Sequence, residues 1–161
     1  MKTPDGAIFY TGFGWLEGTN LSMGRGTEIP FEILGAPWID GFKLAAQMNN
    51  YDLQGIKFTP WSFVPNQRDF RYYKQHCQGV RAVLTDRNRF DCFLTGLFLV
   101  KTIWELYPQK YQFLPHFKIL FGNAEVESWI KTGLTPEEIK NRFKPEIDKF
   151  LLTRKKYLLY H

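Results

Sequence analysis

The chain has 161 residues and 19.0 kDa, with 44% apolar and 17% aromatic side chains, enough for one packed core and too much for a disordered chain. Its formal net charge of +5 is concentrated late: residues 131–161 hold eight Lys/Arg against four Asp/Glu, residues 1–50 three against five. Acidic residues interrupt the basic ones except at Arg154-Lys155-Lys156, and there is no aromatic-plus-glycine RNA motif, so the pattern reads as a solvated helix face with no nucleic-acid partner.

In chain order, Ala7-Ile8-Phe9-Tyr10 reads as a short strand feeding a glycine-rich loop, Glu17 to Thr27. Phe31-Glu32-Ile33-Leu34 reads as a second strand, closed by Gly35-Ala36-Pro37. Asp40 is placed to cap a helix through about Asn49, with Phe42, Leu44, Ala45 and Met48 on its apolar side. Gln54 to Thr59 alternates like a half-buried strand that Pro60 ends. Trp61 to Tyr73, with Arg68 and Arg71 among aromatics, reads as an irregular solvated loop, and Gly79 to Thr85 as a strand.

Asp91 caps a helix from Cys92 to about Tyr107, apolar on most faces and stopped by Pro108. Its apolar run from Phe93 to Leu106 is broken by Thr95, Lys101 and Thr102, and no run reaches membrane-spanning length. A short helix is expected over Asn123 to Ile130. Thr135-Pro136-Glu137-Glu138 combines an N-cap, a first-turn proline and a capping-box carboxylate. Pro145 splits the remaining segment in two, leaving a C-terminal amphipathic helix to Tyr157 through Ile147, Phe150 and Leu151. The sum is a single α+β domain over 1–161, with a mixed sheet of about five strands and about five helices.

Cys77 and Cys92 either pair or remain two buried thiols. Neither has CxxC spacing, and His76, His116 and His161 are scattered, so no metal site and no cofactor is expected. The chemistry concentrates in Glu17 to Thr27, where three glycines surround one arginine and one carboxylate. Gly24-Arg25-Gly26 has the composition of an anion-binding nest with a guanidinium at its centre. The alternative is a glycine-rich connection whose polar groups satisfy only its own backbone.

Glu17 to Thr27, followed by Pro30-Phe31-Glu32 and Gly35-Ala36-Pro37-Trp38-Ile39, resembles the NamZ-type exo-β-N-acetylmuramidases of bacteria. The resemblance continues through Gly55-Ile56-Lys57-Phe58, Cys77-Gln78-Gly79-Val80, Asp86, Tyr107-Pro108 and Phe150 to Tyr160, nearly the whole chain. Thr11-Gly12-Phe13-Gly14, Met23 and His116-Phe117-Lys118 depart from the family pattern. The resemblance implies the C-terminal auxiliary domain of a two-domain enzyme. Its partner would be an N-terminal Rossmann-like domain holding the catalytic centre, and the parent protein periplasmic or secreted. The implied substrate is peptidoglycan, from whose non-reducing end terminal N-acetylmuramic acid is removed.

Glu17, the one carboxylate of the loop, is a candidate for one of the two groups that glycoside hydrolysis needs, but the resemblance places catalysis in the other domain, so no catalytic residue is assigned to this chain. Glu17 is expected to hold loop N–H groups or to pair with Arg25, walling an inter-domain cleft. Arg25 suits the lactyl carboxylate that separates muramic acid from N-acetylglucosamine, or else an internal salt bridge to Glu17, Glu28 or Glu32. Thr19, Asn20, Gly26 and Thr27 complete the candidate substrate-binding loop, and Arg68 and Arg71 either extend a cationic rim for a peptide or lactyl carboxylate or, as the favoured reading, belong to a solvated loop. Trp38 is added for sugar stacking, with core packing the competing role. An exposed apolar patch is expected near the loop and Pro37-Trp38. The runner-up function is a stand-alone carbohydrate-binding module for muropeptides, and behind it stands a basic nucleic-acid or protein interaction domain, prompted by the net charge and the aromatics.

Overall fold

The computed structural model describes residues 2–158 and departs from the sequence reading at its first element. Pro4–Phe13 is a helix, α1, and not a strand. Thr3 is its N-cap and accepts the Gly6 N–H at 3.0 Å, Pro4 lies in the first turn, and Asp5 meets the positive end of the helix dipole. The same Thr-Pro-acid signal starts the helix after Thr135. Near the N-terminus the four-residue apolar run fits either period and masks it.

A 3₁₀ turn over Gly14–Gly18 leads into the glycine-rich loop. Then come β1 (Ile33–Ala36), α2 (Gly41–Asn50), β2 (Ile56–Phe63), β3 (Cys77–Leu84) and α3 (Cys92–Leu106). The chain continues through α4 (Phe117–Phe121), α5 (Val126–Lys131), α6 (Pro136–Arg142) and α7 (Lys144–Lys155). The sheet has the order β1-β3-β2 and is antiparallel throughout. Among the described residues the α+β class therefore stands, with three strands and seven helices where a mixed sheet of five and five was expected. The additional short helix α4 has no side-chain N-cap hydrogen bond to announce it.

β2 runs through Pro60 to Phe63 because it is the sheet edge. Asn49 of α2 accepts the outward Phe58 N–H at 2.9 Å and donates to its carbonyl at 2.8 Å, so a side-chain amide covers the edge. Pro60, two residues on, presents its missing N–H to the same unpaired side. Asp40 caps α2 by accepting the Lys43 N–H at 3.1 Å, and Leu44, Ala45 and Met48 are buried. Phe42 is 75% exposed, since it lies off the stripe those three residues share.

α3 is the buried spine, capped by Asp91 accepting from Leu94 N at 2.9 Å. α1 crosses it at a contact that only glycines allow. A Cβ on Gly12 would stand 2.4 Å from the Cys92 backbone, and one on Gly96 would stand 2.4 Å from the Gly12 carbonyl oxygen. The main core of Phe9, Phe13, Leu16, Phe31, Leu34, Leu97, Leu99 and Ile103 fills the space between these helices and the sheet. Ile33, Phe63 and Cys77 form a smaller cluster.

Cys77 and Cys92 are both free thiols. Burial pushes each up to about 11. The capping box at Thr135 and Glu138 is present, and α7 starts at Lys144 with Pro145 in its first turn. The C-terminal helix ends at Lys155 and buries none of its residues; Ile147, Phe150 and Leu151 of its apolar face are exposed. Near Trp38, where an apolar patch was expected, Phe31 is buried and Trp38 half-buried, while Pro37 and Tyr10, the latter packed on Phe31, are exposed. Exposed apolar surface also lies at Phe42 and Trp61, and along α4 and α7.

Candidate functional site

Two left-handed glycines set the geometry of the loop. Gly24 (φ 68°) and Gly26 (φ 83°) flank Arg25, and a Cβ on Gly24 would sit 2.4 Å from Ile33 Cγ1, so neither conformation nor space admits another residue. The Thr27 N–H and hydroxyl both donate to the Gly24 carbonyl, at 3.1 and 2.6 Å, closing the turn. Asn66 N–H donates to the Gly26 carbonyl at 3.1 Å and ties the turn to the segment that precedes β3.

This reversal returns Arg25 to Glu17 at the end of the 3₁₀ turn. Nη2 donates to Glu17 Oε2 at 2.9 Å and Nε donates to Oε1, a side-on bidentate pair. Donating to the Glu17 carboxylate holds the guanidinium above its ordinary pKa against the opposing effect of burial. The guanidinium carbon also lies 4.9 Å from the Phe31 ring centroid and 5.3 Å from that of Phe70. Of the two roles open to Arg25, the internal pair with Glu17 is present, and Nη1 keeps no acceptor among the described residues.

Glu17 and Arg25 line an open cleft of about 130 Å³ together with Leu21, Met23, Asp69, Phe70 and Arg71. Arg71 donates Nη1 to the Thr19 carbonyl, and burial lowers its pKa, a sign of a guanidinium drawn out of water. Next to it, Tyr72 has φ 59° and donates its hydroxyl to the Asn20 carbonyl at 2.7 Å. Two successive side chains thus hold two successive carbonyls 52 residues away.

The other candidate residues shape this site from behind. Thr19 is fully buried and its hydroxyl donates to the Leu16 carbonyl at 2.7 Å. The Asn20 amide donates to the Lys110 carbonyl at 2.7 Å and accepts the Gln112 N–H at 2.9 Å. Trp38 donates to the Tyr72 hydroxyl at 3.3 Å and packs edge-on against Tyr107, 5.5 Å between centroids. Arg71, for which a solvated loop is the favoured expectation over a cationic rim, is half-buried in the cleft wall. The only local hint is the interleaving of arginines and aromatics over residues 61–73. Among the described residues no three His, Cys, Asp or Glu gather as a metal site, and no helix is long and apolar enough to cross a membrane.

The family described as "Exo-beta-N-acetylmuramidase NamZ, C-terminal" matches residues 8–160. The chain is 39% identical over 166 aligned residues to the peptidoglycan beta-N-acetylmuramidase NamZ of Bacillus subtilis (strain 168), covering 99% of this chain and 39% of that protein. A crystal structure of a DUF1343 family protein from Bacteroides fragilis NCTC 9343 superposes with a TM-score of 0.84 at 25% identity, over 98% of this chain and 43% of that one. A second DUF1343 structure from the same organism gives 0.69 at 24% identity, over 98% and 41%, a likeness of fold alone. The chain thus spans about two fifths of the length of the proteins it matches. The family match over residues 8–160 and the 39% identity along 99% of its length show that the chain belongs to the family of NamZ C-terminal domains.

Proposed function

We propose that this domain forms one wall of the cleft in which a peptidoglycan exo-β-N-acetylmuramidase holds a terminal N-acetylmuramic acid. The opposite wall and the catalytic centre belong to an N-terminal Rossmann-like domain of the parent protein. The observation that carries this reading is the Glu17–Arg25 pair, assembled in advance on a rigid turn at an open cleft. Pockets that enclose a whole small ligand measure about 300–1,000 Å³. A cleft of about 130 Å³ fits part of a sugar, as one wall of a shared site should.

Glycoside hydrolysis uses two carboxyl groups flanking the scissile bond. Here Glu17 engages both oxygens with Arg25, and the other lining carboxylate, Asp69, is exposed at the rim. The domain alone is therefore expected not to hydrolyse a chromogenic β-N-acetylmuramide; turnover above buffer that disappears in Glu17→Gln would contradict this. NMR titration with an N-acetylmuramic-acid-terminated disaccharide tests the binding role. Shifts confined to residues 17–27 and 69–72 support it, and shifts confined elsewhere overturn it. The stand-alone carbohydrate-binding reading finds its own support in a separate groove, where the exposed aromatics Phe42 and Trp61 adjoin Ser62, His76 and Gln78. Shifts confined to that groove would favour it.

A further inference from the structure

We infer that Arg71, together with the open edge of Arg25, receives the carboxylate that distinguishes muramic acid from N-acetylglucosamine. The inference rests on the cleft-wall reading and names the group that the cleft selects.

The cleft is lined by two guanidiniums, Arg25 and Arg71, and two carboxylates, Glu17 and Asp69, of which only Glu17 is paired with an arginine. Glu17 gives both oxygens to Arg25, leaving Nη1 of Arg25 open. Arg71 donates Nη1 to a neutral carbonyl, that of Thr19, and forms no ion pair among the described residues. Asp69, on the same segment, forms none with it. Glu17 acts on Arg71 through space without pairing with it; a half-buried cation with no ion pair of its own is costly, and an anion arriving from outside offsets that cost. Two guanidinium edges lining one small volume suit a planar carboxylate, which accepts paired N–H donors.

The site is also tied by hydrogen bonds within the chain before anything binds. Tyr72 occupies left-handed backbone space, uncommon for a bulky side chain, and is fixed there by its bond to the Asn20 carbonyl. Arg71, one residue earlier, is held to the adjacent Thr19 carbonyl. Preorganisation of this kind lowers the ordering cost of binding. The volume of about 130 Å³ matches one substituent of a sugar.

The test titrates the ¹⁵N-labelled chain with N-acetylmuramic acid, its methyl ester, N-acetylglucosamine, lactate and inorganic phosphate, following residues 17–27, 69–72 and the arginine Nε–H groups. The acid is expected to bind about ten- to a hundredfold more tightly than the ester or N-acetylglucosamine, the factor of a charge-assisted hydrogen bond. Arg71→Met should abolish that preference, and Arg71→Lys, which can still reach the Thr19 carbonyl, should retain part of it. Should the methionine variant fail to fold, the acid-to-ester ratio and the lysine variant decide. Equal affinity of the wild type for acid and ester overturns the inference and leaves the cleft-wall reading standing. Arg71→Met weakening all three sugars equally makes Arg71 a prop for the Thr19 carbonyl and overturns the inference. Phosphate binding as tightly as lactate overturns the carboxylate assignment. Arg71-dependent lactate binding with no response to any sugar overturns the cleft-wall reading and keeps the anion site. Silence to every probe overturns both.

Discussion

Glu17 and Arg25 hold each other side-on across a turn that two left-handed glycines create, with Nη2 and Oε2 2.9 Å apart. The two side chains keep 29% and 34% of their surface exposed, so solvent screens the pair. Glu17→Gln is therefore expected to lower unfolding free energy by only about 0.5–1 kcal/mol. Denaturant unfolding checks this. A loss several times larger would mean that the pair behaves as a buried one, leaving Arg25 stranded.

Arg25→Lys in the parent protein keeps the charge and removes the planar fork. Activity toward N-acetylmuramic acid substrates should fall about ten- to a hundredfold, and activity toward N-acetylglucosamine analogues much less. Paired kcat/KM measurements decide it. Equal losses for both sugars would make Arg25 a structural residue of the turn.

Gly96→Ala tests the crossing of α1 and α3. The new methyl would meet the Gly12 carbonyl oxygen at 2.4 Å and Trp15 Cζ2 at 2.9 Å, and neither a backbone oxygen nor a buried ring yields easily. We expect a loss of about 2–3 kcal/mol despite the better helix propensity of alanine. Gly133→Ala is a control of a different kind, with open space around its Cβ and strain only from its φ of 94°. Its cost should be about 1 kcal/mol.

The two thiols make stability pH-dependent on the alkaline side. Their folded pKa values are about 11 against an ordinary value of 9.0, because burial disfavours the thiolate. The unfolded chain loses these protons first, so unfolding releases protons and stability falls as pH rises from about 9 to about 11. Each thiol can contribute on the order of 2 kcal/mol to the fall. Denaturant unfolding across that window, with Cys92→Ala compared with wild type, should give a shallower decline in the variant. An identical slope would mean that Cys92 does not contribute.

Local chemistry decided whatever could be settled within one or two turns of chain. Asp40, Asp91 and Thr135 each have a side-chain oxygen that satisfies an orphan N–H three residues on, so those helix starts were legible and are present. β3 was legible because β-branched alternation survives at the centre of a sheet. The loop from Glu17 to Thr27 stood out because it has few core formers, and its residues carry the family resemblance. Ala7–Tyr10 was not legible, since four apolar residues have no period of their own, and burial against α3 settles their conformation. The burial of Thr19, the anchoring of Asn20 and the arrival of Arg71 in the cleft were hidden for a different reason. They depend on hydrogen bonds spanning 52 and more residues, which form only when the sheet and α3 bring those segments together. Sequence therefore determined the capped elements and the character of the loop. Only the tertiary structure decided which charges face one another, because pairing is set by distance in space and the chain specifies that distance collectively through its core.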